Sequence, residues 1–468
     1  RAVDDLLRTR FDKSTGLADP SVVLLDPAVG TGTFLAHAYQ RVHATMVQRN
    51  EAGQWPNRAK DHLSANFHGF EILPAAYTLA HIKLRHTLDE LGAGIAETDR
   101  LPVYLTNSLE ESVPQQTNMP FTGVLAKEAN LAAEVKKSKP VLVVIGNPPY
   151  SGHSANPSKH ADGSLTHIGK LMQEYFQVDG HSLNERNPKW LQDDYVKFIR
   201  FAQDRIERTG HGVVGFVTNH GYLDNPTFRG MRQSLLRTFD EIYVYDLHGN
   251  TKKKETAPDG SKDENVFDIQ QGVAICLLVK RTKSPEDAVV RHADLYGPRS
   301  EKYDTLHAST LESVPWTELT PVSDSYLFVP QDRTLFEEYE RGWKVTDIFP
   351  INGVGMTTAR DGYVIDYDAS EVIKRARAFR DAEGSDADIC KRLGIPLKMG
   401  WNVASARRMI QSETDLASFV KPILYRPFDQ RVIFYHDSLV WRTVKHVMRH
   451  MLAGKNIALS TTRSTEVG

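Results

Sequence analysis

Cysteine is nearly absent: Cys276 and Cys390 are the only two in 468 residues, far apart and without a CxxC pair. That spacing indicates neither a zinc site nor a disulfide framework, and it fits a reducing, cytoplasmic setting. Long apolar runs are missing too, none approaching the ~18 residues that a membrane span needs. Neither sign of charge dominates, since 57 basic residues stand against 59 acidic ones for a net charge of −2. The overall basic excess of many nucleic-acid-binding modules is therefore lacking. Basic side chains are instead clustered at Lys252-Lys253-Lys254, Lys374 to Arg380, Arg407-Arg408 and Arg442 to Arg449. Such clusters are more often solvated surface than binding sites. The chain opens on Arg1 with no signal-peptide pattern, and it reads as a piece of something longer. Its glycine-rich loop is not followed by Gly-Lys-Ser/Thr, so no phosphate-loop nucleotide hydrolase is visible.

What is present is a globular composition, 40% hydrophobic and 25% charged, at a length that calls for two or three domains. Apolar strand-like runs end at Asp26, Glu71, Leu105 and Ile145, and they alternate with helical spacing over Phe34 to Met46, Pro74 to Leu88 and Tyr195 to Arg208. Further strands are expected at Gly212 to Thr218 and Glu241 to Leu247, with Gly272 to Lys280 forming a hairpin-like pair with Tyr243 to Leu247. Apolar strands alternating with helices imply an α/β domain, a Rossmann-like sheet with helices on both faces. Two insertions break the rhythm, Ser151 to Asn187 and Gly249 to Asn265, and the second is expected to be a surface loop. After about Thr320 short aromatic and β-branched runs take over, with helical patches at Glu371 to Arg380 and Trp441 to Leu452. The expected domains are 1–325 and a β-rich mixed domain, 326–468.

Chemistry concentrates at the strand ends, where open α/β sheets bind ligands. Asp26-Pro27-Ala28-Val29-Gly30-Thr31-Gly32-Thr33-Phe34 follows a strand and opens a helix. Its glycines allow a sharp turn and close approach to a ligand, although Gly-x-Gly alone is a weak signal. Glu71 ends the second strand, where a carboxylate can accept from ribose hydroxyls, and Asn107-Ser108-Leu109 ends the third. Gly146-Asn147-Pro148-Pro149-Tyr150 closes the fourth, with paired prolines holding the backbone extended. An aromatic amino group is a poor nucleophile because its lone pair is delocalised. The Asn147 side-chain oxygen and the Pro148 carbonyl can each accept one amino hydrogen, which directs the lone pair at an electrophile. Tyr150 offers a face on which an extruded base can stack.

This set of motifs resembles the N6-adenine DNA methyltransferases of the gamma arrangement over about residues 1–280. The resemblance implies S-adenosylmethionine as cofactor, held by Asp26, Ala28, Gly30, Thr31, Gly32, Phe34, Glu71, Asn107 and Leu109. It implies catalysis by Asn147, Pro148, Pro149 and Tyr150, with no metal and with double-stranded DNA as substrate. The chain carries Asn107 where the family usually has Asp, and the family's Thr-Pro-containing segment ahead of the first helix is expected upstream of Arg1. A narrower resemblance is to single-chain type ISP restriction–modification enzymes. It rests on Asp246-Leu247-His248-Gly249-Asn250, Asp259 to Ile269, Asn352-Gly353-Val354-Gly355 and Tyr425-Arg426-Pro427-Phe428-Asp429. It implies nuclease and helicase-like ATPase domains in the same parent chain and a target-recognition domain here. Type IIG and phage-defence enzymes share many of these features. Thr358, Arg360 and Arg426 are then candidate DNA contacts. Three other readings stay open: cytosine N4 or protein glutamine as the methylated amino group, and an idle fold serving as a specificity module. A nuclease reading finds only Glu134-Val135-Lys136, in an expected helix and without a preceding acidic partner.

Overall fold

The computed structural model describes the chain except residues 95, 97–98, 112–121, 151–153, 155, 186–187, 283–286, 324, 333, 398–399 and 462–468. The ends of the first insertion, Ser151 and Asn187, lie outside the described residues. Two compact units divide between Gln331 and Asp332.

The first unit begins with helix α1 (Ala2–Arg10), then β1 (Leu24–Asp26), α2 (Thr33–Gln48), β2 (Phe67–Glu71), α3 (Pro74–Glu90), β3 (Val103–Leu105), α4 (Thr122–Ser138) and β4 (Val143–Gly146). It continues through α5 (His167–Met172), α6 (Asp194–Thr209), β5 (Gly212–Asn219), α7 (Arg229–Thr238), β6 (Glu241–Asp246), β7 (Val273–Lys280), β8 (Val289–Asp294), α8 (Arg299–Ala308) and β9 (Thr317–Leu319). The nine strands form one sheet in the order β9-β8-β6-β7-β5-β4-β1-β2-β3. Neighbours from β3 to β5 are parallel; β7 runs antiparallel between β5 and β6, making the expected pair with β6.

The strands are apolar throughout because both faces are covered, so alternate residues enter different cores. Leu24 and Val143 join one core, with Leu35 of α2 and Leu84 of α3. Their neighbours Leu25 and Val144 join the other, with Val135 of α4, Val196 of α6 and Met231 of α7. The chain leaves β1 toward β2 and β3, then returns to place β4 on the other side of β1. This reversal opens a crevice at the carboxyl ends of β1 and β4.

Both insertions are anchored to the first unit by buried residues. In the first, Ile168, Met172 and Tyr175 are fully buried in the core. In the second, Asp263 accepts hydrogen bonds from the Gly249 and Gly297 amides and pairs with the fully buried Lys302 at 2.7 Å. The expected surface loop is thus tied down at both ends, because its acidic residue is consumed internally.

The second unit holds β10 (Ile365–Asp366), α9 (Ala369–Arg380), α10 (Asp386–Leu393), α11 (Val403–Gln411), β11 (Val420–Arg426), β12 (Asp429–Phe434) and α12 (Lys445–Leu452). Its antiparallel sheet, in the order β10-β12-β11, packs with the helices around Phe379, Ile389, Ile410 and Phe434. The unit is mixed, and two of its helices, α10 and α11, were not expected from the sequence.

Candidate active site

Asp26 ends β1 with its side chain fully buried. One carboxylate oxygen accepts from the Ala28 amide at 3.1 Å, and the other makes no hydrogen bond. Burial, with the neighbouring Glu71 charge adding to it, pushes this carboxyl up to about 7. Gly146 explains how an acid fits here: a Cβ on Gly146 would lie 2.8 Å from Asp26 Oδ1. The absence of a side chain at the end of β4 therefore makes room for the acid at the end of β1.

The loop after Asp26 is shaped by its glycines. Gly30 (φ +53°) and Gly32 (φ +85°) adopt left-handed conformations, which glycine enters without steric cost. Gly32 also packs against α3, where a Cβ would meet Ala80 Cα at 3.3 Å. Glu71 braces the loop. Its Oε2 accepts from the Gly30 amide at 2.9 Å, and its Oε1 from the Ile72 and Leu73 amides at 2.9 and 2.8 Å. Ala28, Gly30 and Phe34 are half-buried, while Thr31 is exposed.

On β3's side the Ser108 hydroxyl donates to the Pro27 carbonyl, and Leu109 is buried. Asn107 is already engaged: its amide nitrogen donates to Glu110 Oε1 at 3.0 Å and Asn156 Oδ1 at 2.8 Å, and its oxygen accepts from the Leu109 amide at 3.0 Å. Lys136 Nζ donates to the Asn107 carbonyl, and burial lowers this ammonium to about 8. Asn156 carries no motif, so sequence reasoning passes over it, whereas Ser108 belongs to the Asn107-Ser108-Leu109 segment and Lys136 to the Glu134-Val135-Lys136 triplet.

Across the crevice, Asn147 and Pro149 are exposed, Pro148 is buried and Tyr150 half-buried. The Tyr150 hydroxyl donates to Asn147 Oδ1 at 2.5 Å, and its ring meets Tyr195 edge-on at 6.3 Å. Burial raises the Tyr150 phenol well above its ordinary range. The polar end of Tyr150 is thus spent on the Asn147 oxygen. The loops after β1, β2, β3 and β4 are brought to one edge of the sheet, with the Asp26 and Asn147 segments on adjacent strands. Clefts of about 630 and 800 Å³ elsewhere in the first unit contain none of these residues.

The candidate DNA contacts separate. Thr358 and Arg360 are buried, at 7% and 2% exposure. Thr358 donates to Asp361, while Arg360 lies over the Trp401 ring at 3.6 Å and donates to the Leu439 carbonyl at 3.0 Å. Arg360 is a core residue whose guanidinium stacks on an aromatic face inside the unit. Arg426 is exposed beside the two-residue turn Pro427-Phe428, where Phe428 (φ +67°) is fully exposed.

With this geometry in place, sequence comparison is informative. Residues 18–182 match the family described as "MmeI, DNA-methyltransferase domain", and residues 347–468 match "Type ISP C-terminal specificity domain". The two matched regions fall one in each compact unit. A curated relative, the Type II methyltransferase M.BstVI of Geobacillus stearothermophilus, is 22% identical over 268 residues, 57% of this chain and 38% of that protein. A nuclease-deletion mutant of the Type ISP restriction-modification enzyme LlaGI, in complex with a DNA substrate mimic, superposes with a TM-score of 0.66 at 21% identity. The ATP-dependent Type ISP enzyme LlaBIII bound to DNA gives 0.67 at 24%, and the DrdV–DNA complex 0.65 at 24%. Each covers 94% of this chain, which spans 36%, 29% and 43% of theirs respectively. These likenesses establish the fold alone.

Proposed function

We propose that this chain transfers a methyl group from S-adenosylmethionine to the N6 amino group of an adenine extruded from double-stranded DNA. It would serve as the modification and target-recognition part of a restriction–modification or phage-defence enzyme, whose nuclease and helicase-like ATPase domains belong to the same parent chain. The observation that carries this reading is Asn147-Pro148-Pro149-Tyr150 at the end of β4, beside the Asp26 loop across the sheet's reversal point.

The residues fit the cofactor. The unbonded, buried oxygen of Asp26 and the open space beside Gly30 suit a cationic nucleoside, with Glu71 and Asn107 at the neighbouring strand ends. S-adenosylmethionine supplies the methyl group on a positively charged sulfur, so no covalent enzyme nucleophile is needed. The chain's own part is placement and proton management. The Asn147 oxygen and the Pro148 carbonyl would accept hydrogen bonds from the two amino hydrogens and direct the nitrogen lone pair at the methyl carbon. The carbon–nitrogen bond would form as the carbon–sulfur bond breaks to a neutral thioether, with one amino proton lost to solvent. The Asn147 oxygen has two lone pairs, so it can keep the Tyr150 hydroxyl while accepting from the substrate. Tyr150 stacks on the extruded base, worth about 1–3 kcal/mol.

The test is transfer of labelled methyl from S-adenosylmethionine to duplex DNA, followed by nucleoside analysis. Label is expected in N6-methyladenine, with Asn147→Ala losing at least about 100-fold, the scale of one lost transition-state hydrogen bond in a closed site. Tyr150→Ala loses the stacking and Tyr150→Phe keeps most of it. Label in cytosine, label in protein, or transfer that survives Asn147→Ala overturns the assignment.

A further inference from the structure

The strands β5, β6 and β8 are parallel to β4 and end at the same edge of the sheet, where they gather a second cluster. His220 follows β5, His248 follows β6, Asp294 ends β8, and Glu255 comes from the Gly249–Asn265 insertion. Each imidazole is backed by a carboxylate. His220 Nδ1 lies 3.0 Å from Asp246 Oδ1, and His248 Nε2 lies 2.8 Å from Asp294 Oδ1. The other nitrogen of each ring faces the insertion, where an ion would displace a hydrogen bond. On that side of His248, Nδ1 is 2.9 Å from Glu255 Oε1, while His220 Nε2 meets the Asn250 amide nitrogen at 3.1 Å. One ligand atom each from His220, His248 and Glu255 lies within 4.8 Å of the other two.

A second observation points the same way. The cluster lines a cavity of about 340 Å³ that also takes in His292. His292 is 2% exposed, and neither of its ring nitrogens makes a hydrogen bond, Nδ1 standing 3.6 Å from Asp294 Oδ2. A buried polar group left unpaired costs free energy, and this unsatisfied imidazole lines the same cavity as the cluster.

We infer that His220, His248 and Glu255 form a binding site for one divalent transition-metal ion, with Asp246 and Asp294 orienting the two histidines from behind. Two imidazoles, deprotonated where they ligate, and one carboxylate suit zinc and its neighbours and not magnesium or calcium, which take all-oxygen sets. Carboxylates behind the ligating histidines fix the tautomer and raise ligand basicity. The ion would tie the end of β5 to the insertion that carries Lys252-Lys253-Lys254, and so fix that basic segment at the edge of the sheet that holds Asn147.

The test uses the full chain without a histidine tag, stripped with chelator and titrated calorimetrically with zinc chloride and, separately, magnesium chloride. One zinc per chain is expected, with a higher melting temperature on binding and no comparable response to magnesium. Asp294→Asn, a half-exposed position that spares the fold, is expected to weaken zinc by about 10–100-fold. His248→Asn is expected to abolish stoichiometric binding while keeping a cooperative melt, since Asn tolerates the left-handed backbone of His248 (φ +52°). Absent zinc binding, magnesium binding of equal strength, or zinc binding unchanged in both variants overturns the inference and leaves the cluster as an ion-pair network.

Discussion

At the residue scale, the site is a set of acids and amides held by backbone groups before any substrate arrives. Glu71 accepts three amide hydrogens and Asn107 makes three hydrogen bonds, so both are rigid and neither was recognisable as such from sequence. Asp26 is the exception, with one oxygen unbonded. Its carboxyl titrates near 3.8 when free and near 7 when folded. A folded value above the free one means that the protonated acid is preferred in the fold. Its stabilising contribution is fully present below the free value and is lost as pH rises toward the folded one. Asp26→Asn, which cannot ionise, is therefore expected to gain melting temperature relative to the parent chain as pH is raised from 4 to 8. Calorimetric melts across that range check it, and a constant difference between the two proteins contradicts it.

At the scale of elements, the strands of the first unit were largely legible because their composition is dictated by two covered faces. Leu24-Leu25 and Val143-Val144 each send neighbours into opposite cores, which demands unbroken apolar runs. The weaker elements escaped. Helix α1 places Leu6 and Leu7 in separate cores, but nine residues with two arginines and two aspartates do not announce a buried helix. Strands β8 and β9 were missed because β8 is half-polar and β9 spans three residues. The Gly249–Asn265 insertion is the expected surface loop over most of its length, but its Asp263 turns inward as the partner of Lys302. Removing one member of a buried ion pair leaves the other charge uncompensated and costs roughly 3–5 kcal/mol. Asp263→Ala should lower the first unit's urea-unfolding free energy by about that amount. A change under 1 kcal/mol would mean that water reaches Lys302.

At the scale of the whole molecule, DNA recognition is proposed for a protein with no net basic charge, so binding must rest on local patches. Arg426 is an exposed guanidinium from the expected set, on a hairpin whose turn projects Phe428 into solvent. Arg426→Ala should weaken duplex binding about equally across sequences and reduce the slope of log affinity against log salt by about one, as a phosphate contact does. Loss confined to one sequence would make Arg426 a base reader instead. What the sequence determined by itself were the strand-end motifs and the alternating α/β pattern, because glycine turns, proline pairs and apolar runs are local signals. Burial was decided only in three dimensions. Tertiary packing took Arg360 into an aromatic core, drew Asp263 inward to Lys302 and gathered His220, His248 and Glu255 from three separate segments. No local pattern encodes such choices, since each depends on which distant residue supplies the partner.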